Sequence, residues 1–147
     1  MQIEWLAAYV EKCLRENWPN DADHLVTSDH VIHFRVGTAA CQVRVEDGDP
    51  TMVRVMAVAV TDVSSSAKLL REVNEVNAHA RVANVWWYAR DVVVECSLFA
   101  ESVTAETLEQ ACEHVASVSN DIGVGMAALY DGSTPYPPFV SDSEDAA

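Results

Sequence analysis

Basic residues are scarce in this chain: nine Lys and Arg stand against 23 Asp and Glu among 147 residues, a net charge of −14. A surface this acidic repels phosphate backbones and anionic bilayers, so neither nucleic acid nor a membrane is expected as a partner. Long apolar runs are missing as well. No stretch approaches the roughly 18 apolar residues needed to span a bilayer. The N-terminal MQIEWLAAYVEKC has acids set into an amphipathic pattern, unlike a signal peptide. A cytoplasmic location is the expectation.

Paired cysteine motifs are absent. Cys13, Cys41, Cys96 and Cys112 are widely spaced, and without a CxxC pair neither a zinc ribbon nor a thioredoxin-like centre is written here. All four fall at apolar-periodic positions and are expected as buried free thiols. Histidines are too scattered for a metal. His30 and His33, three apart in an extended run, point to opposite faces, and His24, His79 and His114 have no neighbour of the right kind. Cys112 and His114, two apart on a helix, do not face each other, so no thiol–imidazole pair is built locally. Glycine is equally sparse. The G-x-G within DIGVGMAALYDG follows a helix, lacks the third glycine, and no Walker lysine follows any glycine loop. The carboxylate pairs Glu46-Asp47 and Asp142-Glu144 fall in a turn and a tail, where solvated charge explains them. No catalytic residue, metal or cofactor is expected.

Half the residues are apolar, enough for one domain that buries roughly 70% of its unfolded surface. Ile3, Leu6, Val10 and Leu14 recur at helical spacing over residues 2–17, which ends before Pro19. HVIHFRVG, AACQVRVED and TMVRVMAVAV then alternate with a period of two. The turn signals GT and DGDP between them predict an antiparallel meander. A second helix follows a serine cap in SSSAKLLREVNEVNAHA. VANVWWYA and VVVECSLF make two further strands with a turn at Arg90-Asp91. Thr104 opens a third helix, with Gly123 and Gly125 as possible breaks. The predicted order is α-βββ-α-ββ-α: an α+β fold with a five-stranded antiparallel sheet and its helices mainly on one face. Residues 1–131 form the expected domain, and 132–147, rich in proline and acid, a poorly ordered tail.

Adjacent tryptophans in a strand must point to opposite faces. Trp87 shares its side with Val85, Val92, Val94 and Cys96, a continuously apolar set, and is assigned to the core. Trp86 and Tyr88 then lie on the outer face with Met56 and Val58. Three of the nine basic residues, Arg35, Arg44 and Arg54, lie there too. Aromatics, Met and Arg are the types enriched in protein contacts. The face suits an extended, acidic or mixed polypeptide or a second copy of the chain. Self-coverage, by the PYPPF tail or the third helix, is the alternative.

The element order, the helix LLREVNEVN, the hairpin RVANVWWYARDVVVECSLF and the helix opening TAETLEQACEHV together resemble the type III secretion chaperones and YbjN-type domains. Leu70, Asn74 and Asn77 occupy the positions of the family's helical motif. The resemblance implies a small, often dimeric polypeptide-binding module, chaperone-like or regulatory, with no cofactor and no catalytic motif. Asn74 and Asn77, at i and i+3, share a helix side from which their amides could tie the helix to a neighbouring strand or meet a partner. Two rival functions stay open: a small enzyme with a pocket assembled from Cys96, His114 or His33, and a purely structural self-assembling protein.

Overall fold

In the computed structural model, residues 3–17 and 25–138 are described. Helix α1 spans Ile3–Asn17, followed by strands β1 (Val26–Ser28), β2 (Val31–Val36), β3 (Ala39–Glu46) and β4 (Met52–Val60). Helix α2 (Ala67–His79), strands β5 (Asn84–Tyr88) and β6 (Asp91–Phe99), and helix α3 (Ala105–Leu129) complete the chain. The strands form one antiparallel sheet in the order β1-β2-β3-β4-β6-β5. The α+β expectation holds, with one correction: among the described residues the sheet has six strands rather than five. The extra strand, β1, is three exposed residues, Val-Thr-Ser, too short to show alternation. It is joined to β2 by a two-residue turn at Asp29 and His30, both at positive φ, the primed geometry whose twist matches a hairpin.

Each helix carries one apolar stripe to the same side of the sheet. Leu6, Val10, Cys13 and Leu14 of α1 are buried, as are Leu69 and Val73 of α2, and Leu108, Ala111, Cys112 and Val115 of α3. They meet the inward residues of the strands, among them Ile32, Phe34, Val43, Val53, Val55, Val92 and Val94, in one continuous core. Full burial of each such side chain contributes about 1.5–3 kcal/mol. Ser66 and Thr104 cap α2 and α3 as the sequence indicates, Thr104 within a reciprocal capping box.

Two local expectations change. Helix α3 runs unbroken through both glycines to Leu129. Gly123 permits that docking, because a Cβ there would sit 3.1 Å from the Ala59 carbonyl oxygen of β4. The β5–β6 turn lies at Ala89 and Arg90, both at positive φ, one residue earlier than expected. Neither residue type signals a primed turn. Tertiary contacts hold it instead: the Arg90 guanidinium donates to Asp62 at 2.8 Å, and the Arg90 carbonyl accepts from Val63 N–H at 2.9 Å. The shift moves each cross-strand partner by two residues, so every side chain keeps its predicted face. Among the described residues no helix is long and apolar enough to cross a membrane.

Asn120 of α3 ties the helix layer to the β2–β3 turn. Its Oδ1 accepts from Thr38 N–H at 3.0 Å, and its Nδ2 donates to the Val36 carbonyl at 3.0 Å. Gly37 must be glycine here: its φ is +59, and a Cβ would meet Asn120 Oδ1 at 2.1 Å.

Candidate functional site, the outer sheet face

Strand alternation sends one set of side chains to the helices and leaves the other facing away from them. The two tryptophans separate as parity requires. Trp87 packs against the core and donates its Nε1–H to the Val63 carbonyl at 2.8 Å. Trp86 turns to the other face, outside the core cluster, with Tyr88 edge-on at 6.1 Å between centroids.

The register lays the outer residues in rows across the strands. Arg35, Ala40, Val58, Val93 and Trp86 are successive partners from β2 to β5, and His33, Gln42, Met56 and Glu95 form the row beside them. Val93, although on this face, is buried to 5% exposure, so the centre of the face is an apolar ridge. A hollow of about 230 Å³ lies next to it, lined by His33, Gln42, Met56 and Val58 among others. The indole Nε1 of Trp86 is buried and has no hydrogen-bond partner among the described residues.

The three arginines that share this face have different surroundings. Arg54 sits between two carboxylates, its Nε 3.2 Å from Glu46 and 3.5 Å from Glu95. Arg35 is engaged by the segment after α3: its guanidinium donates to the Pro137 carbonyl at 3.1 Å and lies 4.6 Å from the centre of the Tyr136 ring. That segment is pinned twice more, through the exchange of hydrogen bonds between Ser133 and Thr61 and by Tyr136 N–H donating to the Thr38 carbonyl at 3.1 Å. Residues 133–138 therefore cover the Arg35 corner of the face, as the self-coverage alternative anticipated for part of PYPPF. Phe139 and the acidic residues beyond it lie outside the described residues. Arg44 is exposed and, among the described residues, makes no hydrogen bond or ion pair.

The family-motif residues divide. Asn77 accepts the Val85 N–H at its Oδ1 and donates its Nδ2–H to the Val85 carbonyl, both at 2.7 Å. It thereby imitates a ladder partner and closes the free edge of β5. Asn74 and Leu70 are exposed, Leu70 at 48%. Sequence spacing put the two asparagines on one helix side but could not tell which one reaches the strand.

The groups weighed for an enzyme pocket are dispersed. His33 stands on the outer face, Cys96 is buried on the inner one, and His114 lines a cleft between α2 and α3. All four cysteines are buried, and none is in a disulfide. Burial, with smaller repulsion from Cys41, Cys96 and Glu113, pushes the Cys112 thiol far above its ordinary value. Burial raises Cys96 likewise. Both shifts run opposite to the activation of a nucleophilic thiolate.

The family TY-Chap1, described as T3SS (YopN, CesT) and YbjN peptide-binding chaperone 1, matches residues 4–138. The chain belongs to this family. The resemblance read from the helix and hairpin motifs is thereby confirmed. Solved structures agree on the fold. A chain of the ExsC–ExsE complex superposes with a TM-score of 0.55 at 13% identity, covering 92% of this chain and 98% of its own. A chain of the HopA1–SchA chaperone–effector complex gives 0.58 at 12%, covering 82% and 96%. YbjN from E. coli gives 0.52 at 17%, covering 81% and 92%. A comparison with curated proteins gives no significant match. As a member of this family, the chain is a peptide-binding, chaperone-like protein. The sequence raised both kinds of contact, an asparagine amide tying α2 to a strand and part of PYPPF covering the sheet face, but not the partners, Val85 for Asn77 and Arg35 for Tyr136, because each pair joins residues from separate elements.

Proposed function

We propose that this family member binds an extended segment of a polypeptide on its outer sheet face, through Trp86, Tyr88, Met56 and Val58, with Arg44 selecting an acidic group. One observation carries the reading: the described helices pack on the opposite side of the sheet, leaving the Val58–Val93–Trp86 ridge beside an open hollow. Among the described residues Arg44 makes no ion pair, whereas Arg35 and Arg54 already have partners. Extended clients suit a ridge-and-hollow surface because alternate side chains reach it. The chaperone complexes among the structural neighbours point in the same direction. A non-enzymatic role, a cytoplasmic setting and a homodimer belong to the same reading, and light-scattering mass at low micromolar concentration tests the dimer.

The test of the face is a double variant, Trp86→Ser with Met56→Ser, titrated with an extended peptide of alternating Glu, Val and Phe. The variant is expected to keep its cooperative thermal transition and to bind at least about tenfold more weakly, a loss of about 1.4 kcal/mol. Unchanged affinity would remove the face from the binding mechanism.

A further inference from the structure

On the other side of the molecule, α2 rests on β5 while α3 rests on β3, β4 and β6. The two helices leave between them an open cleft of about 610 Å³. Val76 of α2 faces Val118 and Ile122 of α3 across it. These three side chains are only partly buried although they adjoin the core. Glu72 and Glu75 on one helix and Asp121 on the other line the rim together with His79 and Arg81 at and just after the end of α2, three carboxylates against one arginine. Glu72 accepts a hydrogen bond from the Tyr130 hydroxyl. The carboxylates of Glu75 and Asp121 are exposed and have no ion-pair partner among the described residues. His114 Nε2 also lies at this cleft, buried and without a hydrogen bond among the described residues, so a polar group there is left for an incoming molecule.

Charge says which occupant fits. Helix α3 carries Glu106, Glu109, Glu113 and Asp121 and no lysine or arginine along its 25 residues. Of these Asp121 lines the cleft, and a second copy offering the same cleft would set Asp121, Glu72 and Glu75 against themselves with one Arg81 to offset them, which costs rather than contributes. A basic, amphipathic helix matches the aliphatic floor and the net acidity of the rim. Its apolar stripe would lie on the three aliphatic residues, and lysine or arginine stems would run along them and deliver their charges to Glu75 and Asp121. Helix α2, 13 residues long, offers about 20 Å of wall, enough for roughly three to four turns of a client helix.

We propose that the α2–α3 cleft is a second polypeptide site, which receives a basic amphipathic helix. This inference rests on the polypeptide-binding reading above, but it names a different surface and a client of opposite charge. The two sites together take a client that presents an acidic-to-mixed extended segment and, separately in its sequence, a basic helical one.

The probe is a peptide of about 18 residues, five turns, of Leu and Lys with Leu at positions i, i+3, i+4 and i+7. It is compared with a scrambled peptide of identical composition, by calorimetry and by amide chemical shifts of the full chain. The patterned peptide is expected to bind at least about tenfold more tightly than the scrambled one. Its shifts should fall on α2 and α3. Glu75→Lys with Asp121→Lys, both exposed positions, should weaken it by at least about tenfold. Val118→Ser with Ile122→Ser should do the same. The Trp86→Ser, Met56→Ser variant should leave it unchanged. Equal binding of the two peptides would mean bulk charge attraction and overturn the proposal, as would shifts confined to the sheet face. A twofold light-scattering mass that vanishes in the Val118→Ser, Ile122→Ser variant would give the cleft to a second copy and overturn it too. If the extended Glu-Val-Phe peptide binds and the Leu-Lys peptide does not, the cleft alone fails. If neither binds, the polypeptide-binding reading fails with it.

Discussion

On the outer sheet face three arginines, Arg35, Arg44 and Arg54, stand with three carboxylates, Glu46, Asp91 and Glu95. Along α3 four carboxylates stand with no lysine or arginine. A net charge of −14 is therefore unevenly spread: the sheet face is locally balanced and the helix side holds an excess of acid. The two surfaces also differ in geometry. Strand pairing produces a continuous apolar row from Ala40 to Trp86, a surface that matches an extended chain. Two helices resting on different strands produce a trough, which matches another helix. In a small chaperone-like domain, one sequence with two hydrophobic periods thus presents two kinds of apolar surface. The charge of each limits which partners approach it.

The sharpest way to break this comparison uses the neighbouring tryptophans. If the outer face is a surface and not a second core, Trp87→Ser and Trp86→Ser must differ in their effect on folding. Trp87→Ser removes a packed indole and its bond to the Val63 carbonyl and is expected to cost about 3 kcal/mol. Trp86→Ser should cost about 1 kcal/mol or less. Urea unfolding of both variants decides it, and equal losses would mean that the outer face is structural. A smaller effect is expected at α2, where Asn77→Ala strips both bonds from Val85. A loss of about 1–2 kcal/mol should come with concentration-dependent sedimentation as the β5 edge opens. Asn74→Ala, at an exposed position, serves as the neutral control. The smallest effect belongs to Tyr136→Ala. Losing the ring over Arg35 is worth about 0.5–1 kcal/mol. The freed guanidinium should tighten binding of the acidic extended peptide, measured by the same titration. Unchanged affinity would mean that the segment after α3 does not compete for the face.

Much of the fold was legible because its signals are local. Period-two alternation assigned Trp86 and Trp87 to opposite sides, and this survived a misplaced turn because the error moved the register by two. Ser66 and Thr104 marked their helix starts, since an N-cap acts within one turn. The signals that misled were also local. Gly123 looked like a break in α3, yet it is small because the helix backbone must approach the Ala59 carbonyl. Ala89 and Arg90 carry no mark of a primed turn, because Asp62 and Val63 impose that conformation from another part of the chain.

The sequence by itself determined the element types, the face of each strand residue, the acid excess and the scarcity of chemistry-bearing motifs. These follow from side-chain periodicity and composition, which need no knowledge of distant neighbours. Only the tertiary structure decided the placement of β6 between β4 and β5, the pairing of Arg54 with Glu46 and Glu95, and the Tyr136 contact with Arg35. It also decided that α2 and α3 stand apart to leave a cleft. Each of these joins residues far apart along the chain, and such contacts depend on how whole elements pack rather than on any local preference.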